Sequence, residues 1–371
     1  MRRPKLHKLF LTPLSHQLLL ESKVNEVEHA FGDCMSRKKV YGKPRRMIVR
    51  PMTIAVICSV ALAPSLAGQG VRPHIWLRIG LVTSSSASPP PSEAAVARGV
   101  RLGTAEAKQT AALFGNNVDI YEAEGAGSGA LTAAERLLSV RKVQVLIGAS
   151  AADADALSKF AELHHLLFVN AASRSQALRA ACRRYTFHVE ATDAMYANAA
   201  EVAHHWPATM SASASARLAG SGRDSVTLWG PSLERFGANQ LNGRYRDRYH
   251  LWMDGFAWAG WAAAKFAAES ALRTHSTLPS KLMAYLESPA SQFDGHKGWP
   301  LTFRMADHQL RQPLYIAMLM GAGGYRFRDV PELRDDFSLG ANGEAGSRPP
   351  YRMLDSLIAS PGARACKWRR D

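Results

Sequence analysis

A chain of 371 residues with 47% hydrophobic and 21% charged side chains has the composition of a folded globular protein, and length for two α/β lobes. Its net charge of +15 invites nucleic-acid binding, but residues 1–50 alone hold 12 Lys/Arg against 4 Asp/Glu. More than half the excess therefore sits at the N-terminus, and with no basic stripe beyond it the charge argues against a nucleic-acid partner.

Arg45, Arg46 and Arg50 precede an uncharged stretch, residues 51–71, with its apolar heart at 53–63 and Ser65-Leu66-Ala67 behind it. A basic region, a short apolar region and a small-residue site in that order predict a secretory signal peptide cleaved near Ala67, and hence an exported protein. Pro64, Gly68 and Gly70 interrupt the stretch, leaving it short of the ~20 apolar residues a membrane anchor needs. Met35, Met47 and Met52 are alternative starts, Met35 giving the best basic region, so residues 1–67 read as an N-terminal extension plus the signal. Cys34 and Cys58 fall in that leader. Cys182 and Cys366 remain, and two cysteines in an exported chain read as one disulfide, with two unrelated buried thiols as the alternative.

The apolar run 75–83 predicts a strand, followed by a Ser/Pro loop with Ser92 as helix cap. Val96, Val100, Gly103, Ala107, Ala111 and Phe114 then recur at helical spacing. The alternation continues with a strand at 118–121, a helix at 131–141, a strand at 143–147, a helix at 152–164 and a strand at 166–170. Serial βα units imply a parallel sheet with helices on both faces. In such sheets ligands bind at the carboxyl ends of the strands, here the loops beginning at Ser84, Glu122, Gly148 and Asn170.

After a helix at 196–204, residues 207–224 are low-complexity Ser/Ala/Gly and read as a linker. Helices are predicted at 233–249, 254–274 and 278–287, short strands at 301–303 and 314–319, and a loop-like tail after Gly321. Phe256, Trp258, Trp261 and Phe266 recur at helical spacing and read as a core stripe rather than a stacking platform.

Enzyme chemistry finds no support. Residues 84–91 hold no glycine, so the dinucleotide fingerprint is missing, and Gly125-Ala126-Gly127-Ser128-Gly129 is out of phase with a nucleophile elbow. The pairs His164-His165 and His204-His205 point about 100° apart on a helix with no further ligand at metal spacing. No enzyme activity, no cofactor and no metal are expected.

Four segments carry a family resemblance: 137–150 (LLSVRKVQVLIGAS), 166–173 (LLFVNAAS), 253–272 (MDGFAWAGWAAAKFAAESAL) and 293–316 (FDGHKGWPLTFRMADHQLRQPLYI). In this order they resemble type I periplasmic binding proteins of ABC importers, the branched-chain amino acid receptor class. The QLRQP run, with ALRAACRRYTFHVEATDAM before it and ARAC after it, is similar to a branch associated with PQQ-dependent alcohol catabolism. The resemblance implies an α/β fold with one doubly wound, Rossmann-like lobe at 72–190, largely intact. It places a remnant of the second lobe and a linker at 191–232, a return segment at 233–320 and a tail at 321–371. The second lobe is expected to be truncated, since fewer than 40 residues separate Tyr196 from Leu233 and a lobe needs on the order of 100. The resemblance further implies a Cys182–Cys366 disulfide, and a small polar solute held by Ser150, Ala151, Ala171, Ala172 and Ser173 through backbone N–H and hydroxyl groups. The implied partners are the importer's membrane subunits; the alternative is an exported interaction protein or a degenerate member without ligand binding.

Overall fold

The computed structural model describes residues 74–204, 226–319, 325–329 and 366–367, all within the unit Gly68–Asp371. The predicted leader, the linker at 207–224 and most of the predicted tail lie outside the described residues.

The βα alternation is present as read. β1 (Trp76–Thr83), α1 (Pro91–Ala112), β2 (Asn117–Glu124), α2 (Ser128–Arg141), β3 (Val145–Gly148), α3 (Ala154–Leu163), β4 (Leu167–Asn170), α4 (Gln176–Ala180), β5 (Thr186–His188) and α5 (Asp193–His204) follow in order. The five strands form one parallel sheet, β2-β1-β3-β4-β5. Strand periodicity divides the core: Leu77, Ile79, Leu81, Val145, Ile147, Leu167 and Val169 face one side, while Val82, Leu146 and Phe168 join Leu137, Leu157 and Phe160 on the other. Ser92, the predicted cap, lies inside α1 instead, because Pro91 opens the helix where its missing N–H costs nothing.

The return segment supplies α6 (Ala238–Tyr249), α7 (Gly255–Thr274) and α8 (Pro279–Leu286). The helix predicted at 233–249 is shorter than expected, because a 3-10 turn at Arg235–Gly237 with Phe236 and Gly237 at positive φ breaks its start. α7 lies along α1 so closely that a Cβ on Gly99 would stand 1.9 Å from the Ala257 carbonyl oxygen, and one on Gly260 2.2 Å from that of Val96. Trp258, Trp261 and Phe266 are buried in this core, as their spacing predicted, whereas Phe256, in the first turn of α7, is only half-buried and faces Arg174.

Short antiparallel strands complete the described chain: β6 (Val226–Thr227), β7 (Phe293–Asp294), β8 (Pro300–Phe303), β9 (Leu310–Arg311), β10 (Tyr315–Leu319) and β11 (Tyr325–Asp329). They form two small sheets, β11-β10-β6 and β7-β8-β9. β11 corrects the loop-like tail: Tyr-Arg-Phe-Arg-Asp has a strand's period of two and pairs along β10. Cys182 and Cys366 form a disulfide across 184 positions, with Cα atoms 5.4 Å apart, and the Cys366 N–H donates to the Ala306 carbonyl at 2.7 Å.

Candidate functional site

In the order 2-1-3-4-5 the chain leaves β1 first to one side and then to the other, which opens a crevice between the carboxyl ends of β1 and β3. Ser84 follows β1 and Ser150 follows β3. The Ser84 N–H donates to Glu93 at the start of α1, while its hydroxyl oxygen is buried without a hydrogen-bond partner. Ser150 is half-buried and Ala151 exposed at the rim.

The next connection, β4 to α4, is built around Asn170. Its Oδ1 accepts the N–H of Ala172 at 3.3 Å and of Ser173 at 2.8 Å, and its Nδ2 donates to the Ser173 carbonyl at 2.8 Å. Ala171, Ala172 and Ser173 are thereby folded into a buried turn. Two of the backbone N–H groups expected to serve a solute are paired inside the loop, and the Ser173 hydroxyl accepts the Ser175 N–H at 3.3 Å.

Buried side chains pin this turn to the exit of β5. Arg179 donates to the carbonyls of Ser173 (2.7 Å), Ser175 (3.0 Å) and Glu190 (2.6 Å), and to Gln309 Oε1 (3.1 Å). Gln309 Nε2 donates to the carbonyls of His188 and Glu190, and Gln312 Nε2 to that of Val189 at 2.6 Å. Both glutamines of the QLRQP run thus replace water at backbone groups that no strand pairs. Burial lowers Arg179 to about 10, so it stays charged near neutrality. Burial, reinforced by the Arg179 charge, holds His188 well below its ordinary range and neutral.

One cluster at this end is not so satisfied. The Arg174 guanidinium stacks on Tyr196 at 4.1 Å and faces Phe256 at 5.2 Å, with its Nε 3.4 Å from Glu190 Oε1. The Tyr196 hydroxyl donates to the same Glu190 oxygen at 2.8 Å. Glu190 Oε2 and Arg174 Nε are buried without hydrogen bonds. Burial pushes the Glu190 carboxyl up to about 7, although Arg174, Tyr196 and Arg179 pull it down. Tyr196 is held well above its ordinary value by burial and by Glu190.

Electrostatics favour an anion here. In a parallel βα sheet each helix starts where its strand ends, so α1, α3 and α5 turn the positive ends of their dipoles to these loops. The first turn of α7, carrying Phe256, joins them at Arg174.

A five-stranded parallel sheet in this order has clear relatives in fold. Residues 77–237 match the family model described as periplasmic binding protein. The fold is that of a type I periplasmic binding protein. A branched-chain amino acid transporter component of Rhodopseudomonas palustris CGA009 superposes with a TM-score of 0.58 at 14% identity, over 70% of this chain and 98% of its own. The leucine-, isoleucine-, valine-, threonine- and alanine-binding protein of Brucella ovis, in a closed conformation, gives 0.56 at 10%, over 70% and 96%. A solute-binding protein of R. palustris in complex with benzoate gives 0.54 at 15%, over 68% and 95%. At these identities the likeness is one of fold. No curated protein matches the chain in sequence.

Within the type I periplasmic-binding fold, the loops carrying Ser150 and Ala151 and Ala171–Ser173 all lie at the carboxyl end of the sheet, as the sequence implied. Sequence reasoning missed Ser84, Arg174, Glu190 and Tyr196. Ser84 opened a loop already singled out, but β5 was not read, and without it neither Glu190 nor the base of α5 had a place beside Arg174. Among the described residues no group of His, Cys, Asp or Glu could hold a metal ion, and no helix is long and apolar enough to cross a membrane.

Proposed function

We propose that the protein is the periplasmic solute-binding component of an ABC importer, holding a small polar solute without turning it over. The observation that carries this reading is the set of unpartnered polar atoms at the carboxyl end of the sheet: the Ser84 hydroxyl, Arg174 Nε and Glu190 Oε2. Buried polar atoms are rarely left without partners, and a solute would supply them. Ser150, Ala151, Ala171, Ala172 and Ser173 follow β3 and β4 at the same end, and in this reading the Ser150 and Ser173 hydroxyls serve as further donors to the solute. Relatives in fold bind branched-chain amino acids and benzoate, which supports a solute of this size.

The proposal includes export by the leader ending near Ala67, a first lobe followed by a second lobe cut short between α5 and α6, and recognition by the importer's membrane subunits. A short second lobe leaves the solute open on one side, so affinity is expected to be modest. The shortness of that interval also favours a second reading, an exported interaction protein that no longer binds solute.

A thermal-shift titration against short alcohols, short carboxylic acids, amino acids and redox cofactors separates the two. Stabilisation that grows with concentration, reaching about 2.7 kcal/mol at a hundredfold excess over the dissociation constant, supports solute binding. A cooperative melt that no compound moves supports the second reading.

A further inference from the structure

The Arg174 cluster contains more charge chemistry than a neutral solute requires. Arg174 is fixed from three sides, by Tyr196, Phe256 and Glu190, yet its guanidinium makes no hydrogen bond among the described residues. Its side chain keeps 37% of its surface exposed, while that of Glu190 keeps 1%. An arginine presents five donors in a planar fork, and here two rings flank the guanidinium of a side chain that stays partly open to solvent. Glu190 engages it through a single oxygen, and lacks the two-pronged geometry a carboxylate makes with a guanidinium by choice. Glu190 is therefore a poor resident counter-ion, and a better one would displace it.

Resting on the solute-binding reading, we infer that Arg174 is the specificity-determining residue of this site, that it takes the carboxylate of the solute, and that Glu190, displaced from Arg174, takes up a proton from solvent. The helix N-termini of α1, α3, α5 and α7 at the same end favour the incoming anion. Proton uptake follows from burial: once Arg174 is engaged elsewhere, the Tyr196 hydroxyl, the Arg179 charge of α4 and the N–H of Ala191 are left to oppose the burial of the Glu190 charge, while Asp193 of α5 acts on Tyr196. The Tyr196 hydroxyl still satisfies Oε1, and the new proton gives the orphaned Oε2 the chance to donate. Arg179 cannot replace Arg174, since hydrogen bonds to the carbonyls of Ser173, Ser175 and Glu190 and to Gln309 already hold its guanidinium in place.

The test is isothermal titration of the purified protein with acetate, isobutyrate and benzoate, each against its amide: acetamide, isobutyramide and benzamide. At least one acid should bind about tenfold or more tightly than its amide. Arg174→Gln should erase that preference, and Arg174→Lys, which keeps the charge and loses the fork, should retain part of it. In buffers of different ionisation enthalpy near pH 8, acid binding should take up a proton in the wild type and none in Glu190→Gln. Melting curves of the three variants identify any that fail to fold, and the wild-type acid–amide and proton measurements stand without them. Amides binding as well as acids, a preference unchanged in Arg174→Gln, or acid binding without proton uptake would overturn the inference while leaving solute binding intact. A panel in which nothing binds would overturn the inference, and the wider thermal-shift titration then decides whether solute binding falls with it.

Discussion

At the residue scale, Glu190 couples the site to pH. In the unfolded chain it titrates near 4.5; folded, burial raises it to about 7, so the folded protein holds a proton that the unfolded chain releases between those values. Its contribution is intact below about 4.5 and is lost as pH rises through 7, a change on the order of 3 kcal/mol for a shift of this size. His188 acts with the opposite sign, since its folded value is depressed and stability is lost as falling pH charges it. The wild-type curve therefore mixes the two, and the difference from Glu190→Gln isolates the carboxyl. Melting temperatures measured from pH 4 to 8 should show the variant gaining on the wild type as pH rises toward 8; a constant difference would mean that Arg174 and Tyr196 fully offset the burial of the charge.

At the scale of elements, the contact between α1 and α7 fixes where the site's walls stand. Gly99 and Gly260 let the helix backbones meet, and Ala257 and Ala264 keep the seam narrow. Replacing Gly260 by Ala gains roughly 1 kcal/mol of helix propensity, but its Cβ would stand 2.2 Å from the Val96 carbonyl oxygen, a backbone atom that cannot turn aside. Overpacking of this kind costs about 1–3 kcal/mol, so Gly260→Ala should be net destabilising in urea titration despite the better helix former. A stabilised variant would show that the helices can slide apart. Because Phe256 in the first turn of α7 faces Arg174, such a shift should also loosen the clamp on the guanidinium.

At the scale of the molecule, the disulfide joins the start of the β5 region to the C-terminal end across 184 positions. Closing so long a loop removes entropy from the unfolded chain, and losing it typically costs about 2–5 kcal/mol. The double variant Cys182→Ser, Cys366→Ser should melt lower by an amount of that order, with reduction of the wild type giving the same shift. The bond lies one turn beyond Arg179, whose hydrogen bonds hold the β4–α4 turn, so the loss should also weaken any solute affinity measured in the titrations above.

Much of this organisation is legible in the sequence because it is local. Apolar runs of period two and helical repeats in alternation specify strands and helices, and their serial order specifies a parallel sheet whose carboxyl-end loops carry the candidate site. A leader-like stretch raises the expectation of export, and four segments carry the resemblance to the family. What sequence could not assign was held by partners far apart in the chain. β5, three residues long, exists because β4 pairs with it and because Gln309 and Gln312 satisfy its exit from more than a hundred positions away. β11 is defined by its register on β10, and the helix expected at 233–249 is interrupted by a turn whose Phe236 carbonyl meets His296. The charged heart of the site is of the same kind. Arg174, Glu190 and Tyr196 belong to no motif in sequence and Phe256 reads there only as part of a core stripe; packing alone brings them together, because burial and stacking act between surfaces while propensity acts along the chain.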